Sequence, residues 1–228
     1  MEVFHVLNRG VDKRNIFLDD SDRFRFVHNL FEFNDQNRVE ARNIFNKSAK
    51  TGFSDTGCQK DHRSKSRELL VNIHCFCLMP NHYHLLLSSR VPNGVSLFMH
   101  KLNMGFSKYF NLKYERTGTL FEGRYKSVAV TSDTHFLYLP YYIHLNPLDL
   151  VAPTWRERKI NDSRKAIEFL ENYRWSSFLD YIGEKNFPSV TTRSFILKFL
   201  DNPGKYKKET IRWLKEMDYS NIGELTLE

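Results

Sequence analysis

The chain has 228 residues, of which 41% are hydrophobic, with 19 Phe and 11 Tyr, so it can bury a substantial core and a wholly disordered protein is excluded. Its formal net charge of +7 suits a polyanionic partner, although charge alone does not choose one. Cys58, Cys75 and Cys77 are too few and too odd in number for a disulfide framework, which fits free thiols in a reducing compartment. The segment MEVFHVLNRG lacks the basic-then-apolar pattern of a secretion signal, and no apolar run is long enough to cross a bilayer; the expected location is the cytoplasm.

In chain order, Phe4 to Asn8 reads as a first strand and Gly10 as a turn. Asp19, Asp20 and Ser21 offer caps for a helix whose Phe24, Val27, Leu30 and Phe31 recur at helical spacing. From Gln36 to about Glu68 the sequence turns polar and reads as an insertion between core elements. Leu69 to Leu78 and His82 to Leu87 flank the turn Met79-Pro80-Asn81, so the pair is expected to be a hairpin. After Asn93-Gly94, Val95, Phe98, Met99, Leu102, Phe106 and Phe110 mark the inner face of a long helix. A Gly118–Gly123 loop then leads to a strand with Val128 and Val130, and a third helix should start near Ser132 and end at Asn146-Pro147. Strand, helix, strand, strand, helix, strand is the βαββαβ order of an α+β, ferredoxin-like antiparallel sheet with helices on one face. The third helix is then an addition, and short helical stretches over 163–173, 193–200 and 205–217 form a C-terminal extension. The expected division is a domain over 1–158 and an extension over 159–228 packed on the core.

Two constellations carry chemistry. Alternation along a strand puts His82 and His84 on one face and Tyr83 on the other, so both imidazoles are available to one divalent cation, given a third ligand. Alone, such a pair is more often incidental. On the third helix Tyr142 and Asn146 lie four apart on one face, where a phenol and an amide oxygen can reach one site. An isolated tyrosine there would by default be a packed ring. Pro140 lies two residues before Tyr142 and should kink that helix or start a new one. Tyr138 and Tyr141 are rival nucleophiles, and Cys75 and Cys77 with the histidines offer a minority zinc reading.

Met79-Pro80-Asn81-His82-Tyr83-His84 resembles the histidine-hydrophobe-histidine (HUH) signature of single-tyrosine transposases, and Tyr142-Ile143-His144-Leu145-Asn146-Pro147 resembles the tyrosine helix of their REP-associated group. His5-Val6-Leu7-Asn8-Arg9-Gly10, Gly118 to Ser127 and Trp175-Ser176-Ser177 extend the likeness, in the family's order, over roughly residues 3–182. The insertion at 36–68 is longer than the family pattern. The resemblance implies a metal-dependent single-strand DNA endonuclease and strand transferase acting on hairpin-bearing, repeat-derived DNA. It implies Tyr142 as nucleophile of a 5′-phosphotyrosine link, His82, His84 and Asn146 as ligands of Mg²⁺ or Mn²⁺, and association with the nucleoid when DNA is bound. His144, rotated away from Tyr142, is read as a contact behind the ligands or to DNA. Arg9, Lys13, Arg14, Lys101, Lys108, Arg116, Arg124 and Lys126 are candidates for phosphate contacts, with Phe121, Tyr125 and Trp175 against bases and 205–208 extending the groove. A monomer is favoured over a dimer. The alternatives are a catalytically silent nucleic-acid-binding protein of the same fold and, third, a replication or conjugation relaxase.

Overall fold

The computed structural model describes residues 2–37, 67–157, 159–160, 162–198 and 203–216, the side chains of 133, 134 and 203 excepted. Nearly all of the 36–68 insertion, with Cys58, lies outside the described residues. Strands β1 (Val3–Arg9), β2 (Val71–Met79), β3 (His82–Ser89) and β4 (Lys126–Val130) form one four-stranded antiparallel sheet in the order β2-β3-β1-β4. That is the expected ferredoxin-like arrangement, and it puts β1 in the centre beside the histidine strand.

Helices α1 (Asp20–Glu32) and α2 (Gly94–Lys113) are the two crossovers and share one face of the sheet. The α1 start is fixed by a capping box in which Asp19 accepts from the Asp22 amide and Asp22 answers. Their core contains Val6, Ile73, Phe76, Leu78, Tyr83, Leu85 and Leu87 from the strands, with Phe26, Leu30, Phe98, Leu102 and Phe106 from the helices. The opposite face is covered by α3 (Asp133–Leu145) and the C-terminal helices α4 (Ser163–Asn172), α5 (Phe178–Ile182), α6 (Ser194–Leu197) and α7 (Pro203–Glu216). Here Cys75, Cys77, Met79 and Leu86 meet Leu139, Ile143, Leu145, Ile167, Leu170, Phe178 and Leu214. A β-bulge between Ile73 and Cys75 makes this two-sided packing possible. Ile73 pairs with Leu87 and Cys75 with Leu86, so the extra residue switches the strand's alternation and sends the cysteines toward α3.

Two elements add to the sequence reading. Helix α3 runs through Pro140, so the proline starts no new helix; Asn146 to Leu150 then tightens to a 3₁₀ turn. Trp175-Ser176-Ser177 is no bare connection, because the Leu78 amide donates to the Trp175 carbonyl, the Ser177 amide donates to the Phe76 carbonyl, and Cys77 bridges Ser176. This short antiparallel segment covers the outer edge of β2, which would otherwise present unpaired backbone groups.

Candidate active site

The site forms where β1, β3 and the end of α3 meet. Because His84 is paired with Leu7 and His82 with Arg9, both imidazoles lie on the α3 side, and Tyr83 packs oppositely against Phe26 and Phe121. His84 is fully buried and His82 partly so. Their Nε2 atoms are 3.1 Å apart. A third histidine, His5 of β1, brings its Nε2 to 3.0 Å from His84 Nδ1, and its ring stacks on His84. At the other end His82 Nδ1 lies 2.6 Å from Asn81 Oδ1.

This chain has a direction. The Asn81 amide nitrogen donates to the Lys13 carbonyl, leaving its oxygen to accept from His82 Nδ1–H. His82 Nε2 then carries a lone pair and accepts from His84 Nε2–H, whose Nδ1 accepts from His5 Nε2–H. All three rings are neutral in that arrangement, and the surroundings of His82 and His84 favour it. Burial pulls His82 down to about 4, with Asp149 opposing and Arg9 and Arg156 adding to the shift. Burial, then the charges of His82, His5 and Arg156, holds His84 well below the ordinary imidazole range.

Of the three rival tyrosines, Tyr142 alone faces this chain. Its ring centroid is 6.0 Å from those of both His5 and His84, edge-on in each case. Tyr141 is stacked between Tyr206 and Trp213 of α7, 4.7 Å from each, and Tyr138 packs on Trp213. Asn146 is buried one turn beyond Tyr142, its Nδ2 donating to the Tyr142 carbonyl at 2.8 Å. Its Oδ1 accepts from Arg156 at 2.9 Å. Arg156 also pairs with Asp149, which accepts from Trp155 Nε1 at 2.6 Å, and its guanidinium lies 5.6 Å from the centre of the Tyr142 ring. Trp155 is fully buried beside Tyr142. The 3₁₀ turn Pro153–Glu157 therefore covers a tyrosine that has no exposed surface.

The residues fit a divalent ion in two respects. Once His84 carries its proton on Nδ1 in place of Nε2, two imidazole lone pairs 3.1 Å apart match the separation of two neighbouring ligands at metal–nitrogen distances of about 2.1 Å. Among the described residues no three His, Cys, Asp or Glu side chains converge, so a third protein ligand must be of another kind, and the Asn146 amide is at hand. Against the minority zinc reading, Cys75 and Cys77 are fully buried free thiols whose pKa values are pushed up by burial.

His144 is placed elsewhere than its sequence neighbourhood suggests. It is fully buried, with Nδ1 2.6 Å from Tyr206 Oη and Nε2 2.7 Å from Ser177 Oγ, so it ties α3 to α7 and to the segment beside β2 and reaches no surface. The basic candidates divide. Arg9 is bound to Glu122, whose carboxyl is lowered first by that hydrogen bond and then by the charges of Arg9, Lys126 and Lys13, which places the two lysines near Glu122, while Arg9 is close enough to act on His82. Arg14, Lys108 and Arg124 are exposed, and Arg124 and Tyr125 line a cleft of about 520 Å³ with His100 and Asn103. Lys101 is occupied by carbonyls of residues 35–37, and Arg116 by Asn111 and the Phe110 ring. Phe121 and Trp175 are core residues with no ring face for a base, Tyr206 is fully buried, and Lys207 pairs with Glu171.

Sequence reasoning missed His5, Asp149, Trp155 and Arg156. For His5 there was a signal, an imidazole between Val3 and Leu7 on a strand face otherwise apolar. The other three come from 3₁₀ turns, where neither helical nor strand spacing marks a face.

Residues 40–146 match the family model described as Transposase IS200 like, a little under half of the chain. No curated protein matches. Among solved structures, one described as a REP-associated tyrosine transposase bound to a REP hairpin is 12% identical, with 82% of each chain covered and a TM-score of 0.44. No described helix is long and apolar enough to cross a membrane. The stretch 40–146 is thus similar to the IS200-like transposases, and His82, His84, Tyr142 and Asn146 all fall within that match.

Proposed function

We propose that the protein is a single-strand DNA endonuclease and strand transferase with Tyr142 as its nucleophile, acting on hairpin-bearing, repeat-derived DNA as a REP-associated type of transposase. The observation that carries this reading is that Tyr142, alone of three neighbouring tyrosines, is set edge-on to His5 and His84, one turn before Asn146. The Tyr142 oxygen forms a bond to the scissile phosphorus, the bond to the 3′ oxygen breaks, and the phenol's proton is balanced by that of the 3′ hydroxyl formed. The 5′ phosphate stays on the tyrosine, so rejoining needs no ATP.

A phenol with an ordinary pKa near ~10 attacks poorly without help. His82, His84 and Asn146 would hold a divalent ion, Mg²⁺ or Mn²⁺, which when bound offsets the charge growing on the phosphate. With a cation on Nε2, His84 would carry its proton on Nδ1 and donate it to His5 Nε2, the reverse of the direction in the free site, and His5 would then hold the ligating ring from behind. Arg9 near His82, Lys13 and Lys126 around Glu122, and exposed Arg14, Lys108 and Arg124 supply positive charge for the backbone. The buried Tyr142 requires the Pro153–Glu157 turn to shift before a phosphate can enter.

The test is incubation with 5′- and 3′-labelled hairpin-bearing single strands and Mn²⁺ or Mg²⁺. A covalent adduct that carries the 5′ phosphate and disappears with EDTA is expected. Binding without an adduct under every metal would replace this reading with that of a silent DNA-binding protein.

A further inference from the structure

Arg156 joins parts of the site that the transposase reading treats separately. Its guanidinium donates to Asn146 Oδ1 at 2.9 Å, is paired with Asp149, lies over the Tyr142 ring and is close enough to depress both His82 and His84. The amide oxygen it holds is the one that the cation reading requires. An amide oxygen has a second lone pair, but a guanidinium and a dication on one atom would repel strongly at that separation. Arg156 also belongs to the turn that covers Tyr142, so a movement that frees Asn146 uncovers the tyrosine as well.

We propose that Arg156 is a phosphate-responsive latch on Asn146. In the free protein it withholds the amide oxygen from the cation; a DNA phosphate, which matches the guanidinium fork, takes the arginine and releases the oxygen. Arg156 is thus a positioning residue for the cation and a phosphate-binding residue for DNA. Cation and DNA affinities are coupled through it, each tightening the other. This inference rests on the proposed role of Asn146.

The experiment measures Mn²⁺ affinity from the free-ion paramagnetic resonance signal, in a Tyr142→Phe background so that no strand is cut. Titrations are run with and without a hairpin oligonucleotide, for Arg156 and for Arg156→Met, Arg156→Gln and Asn146→Ala. With Arg156 present, DNA should tighten Mn²⁺ by about tenfold, within the usual range for coupled ligands. Arg156→Met should bind Mn²⁺ about tenfold tighter without DNA and gain less than about threefold from it. Arg156→Gln, which keeps a polar side chain for Asp149, should move in the same direction and decides the matter if the Met variant does not fold. Asn146→Ala should weaken Mn²⁺ binding and abolish the effect of changing Arg156. Unchanged or weaker Mn²⁺ binding in folded Arg156 variants would overturn the latch while leaving the cation site intact. No Mn²⁺ binding by any protein, with or without DNA, would remove the cation site itself and the latch with it.

Discussion

Ser177→Ala should be among the most damaging single-atom changes in the molecule, because one hydroxyl serves two elements. Ser177 Oγ accepts the Phe76 amide of β2 at 2.9 Å and lies 2.7 Å from His144 Nε2 on α3, and all three residues are fully buried. The substitution leaves a backbone donor and an imidazole nitrogen without a partner and without water. Tyr206 cannot serve that nitrogen, being bonded to Nδ1 on the ring's other side. At about 1–3 kcal/mol for each buried group left unsatisfied, and allowing for a change of His144 tautomer, the loss should be roughly 2–4 kcal/mol. Ser176→Ala is the control, since among the described residues its Oγ accepts only the Phe178 amide, at 3.2 Å, and a lost cap of that kind costs about 1 kcal/mol. Urea unfolding of both variants, with slopes compared to confirm the same transition, measures the difference. A Ser177→Ala loss no larger than that of Ser176→Ala would refute the claim that this hydroxyl joins the edge segment to the tyrosine helix.

Stability should fall as the pH drops below the ordinary imidazole range. Burial holds His74 and His82 at about 4 and His144 at about 3, so the unfolded chain takes up protons that the folded one refuses. The contribution is complete above the ordinary imidazole value near ~6.5 and is lost as pH falls toward 4, each histidine adding a slope of up to about 1.4 kcal/mol per pH unit. Urea midpoints at pH 7.5, 6 and 5 measure this, and a flat profile would contradict the buried neutral histidines. Gly94→Ala puts a Cβ 2.2 Å from the Leu70 carbonyl oxygen, a backbone atom with no rotamer to change, and should cost about 2–3 kcal/mol in thermal or urea unfolding. His5→Phe keeps a stacked ring but removes the bond to His84 Nδ1, so it should weaken Mn²⁺ binding by at least about tenfold while leaving the fold intact. Unchanged affinity would make His5 a packing residue only.

The sheet was legible because its period is local: His82 and His84 had to share a face once β3 was a strand, and Tyr142 with Asn146 had to share one on a helix. Preferring Tyr142 to Tyr141 and Tyr138 rests on a four-residue offset to Asn146, and in the structure rings of α7 pack on both of the other tyrosines. What stayed hidden is non-local. His5 meets His84 only because β1 lies beside β3 in the sheet order, a pairing that spans 79 residues of sequence. His144 was read from its helical angle to Tyr142, but its partners come from a segment and a helix beyond residue 170. Phe121 and Trp175 looked like base-stacking rings by type alone and are consumed by the core.

The most direct test of the central claim is to map the tyrosine that carries DNA. Wild type and the Tyr138→Phe, Tyr141→Phe and Tyr142→Phe variants are incubated with a hairpin-bearing single strand and Mn²⁺, and the adducts are digested and located by peptide mass. The account predicts a 5′-phosphotyrosine on Tyr142, retained in the Tyr138 and Tyr141 variants and absent from Tyr142→Phe. An adduct that persists in folded Tyr142→Phe, or that maps to Tyr141, would contradict it.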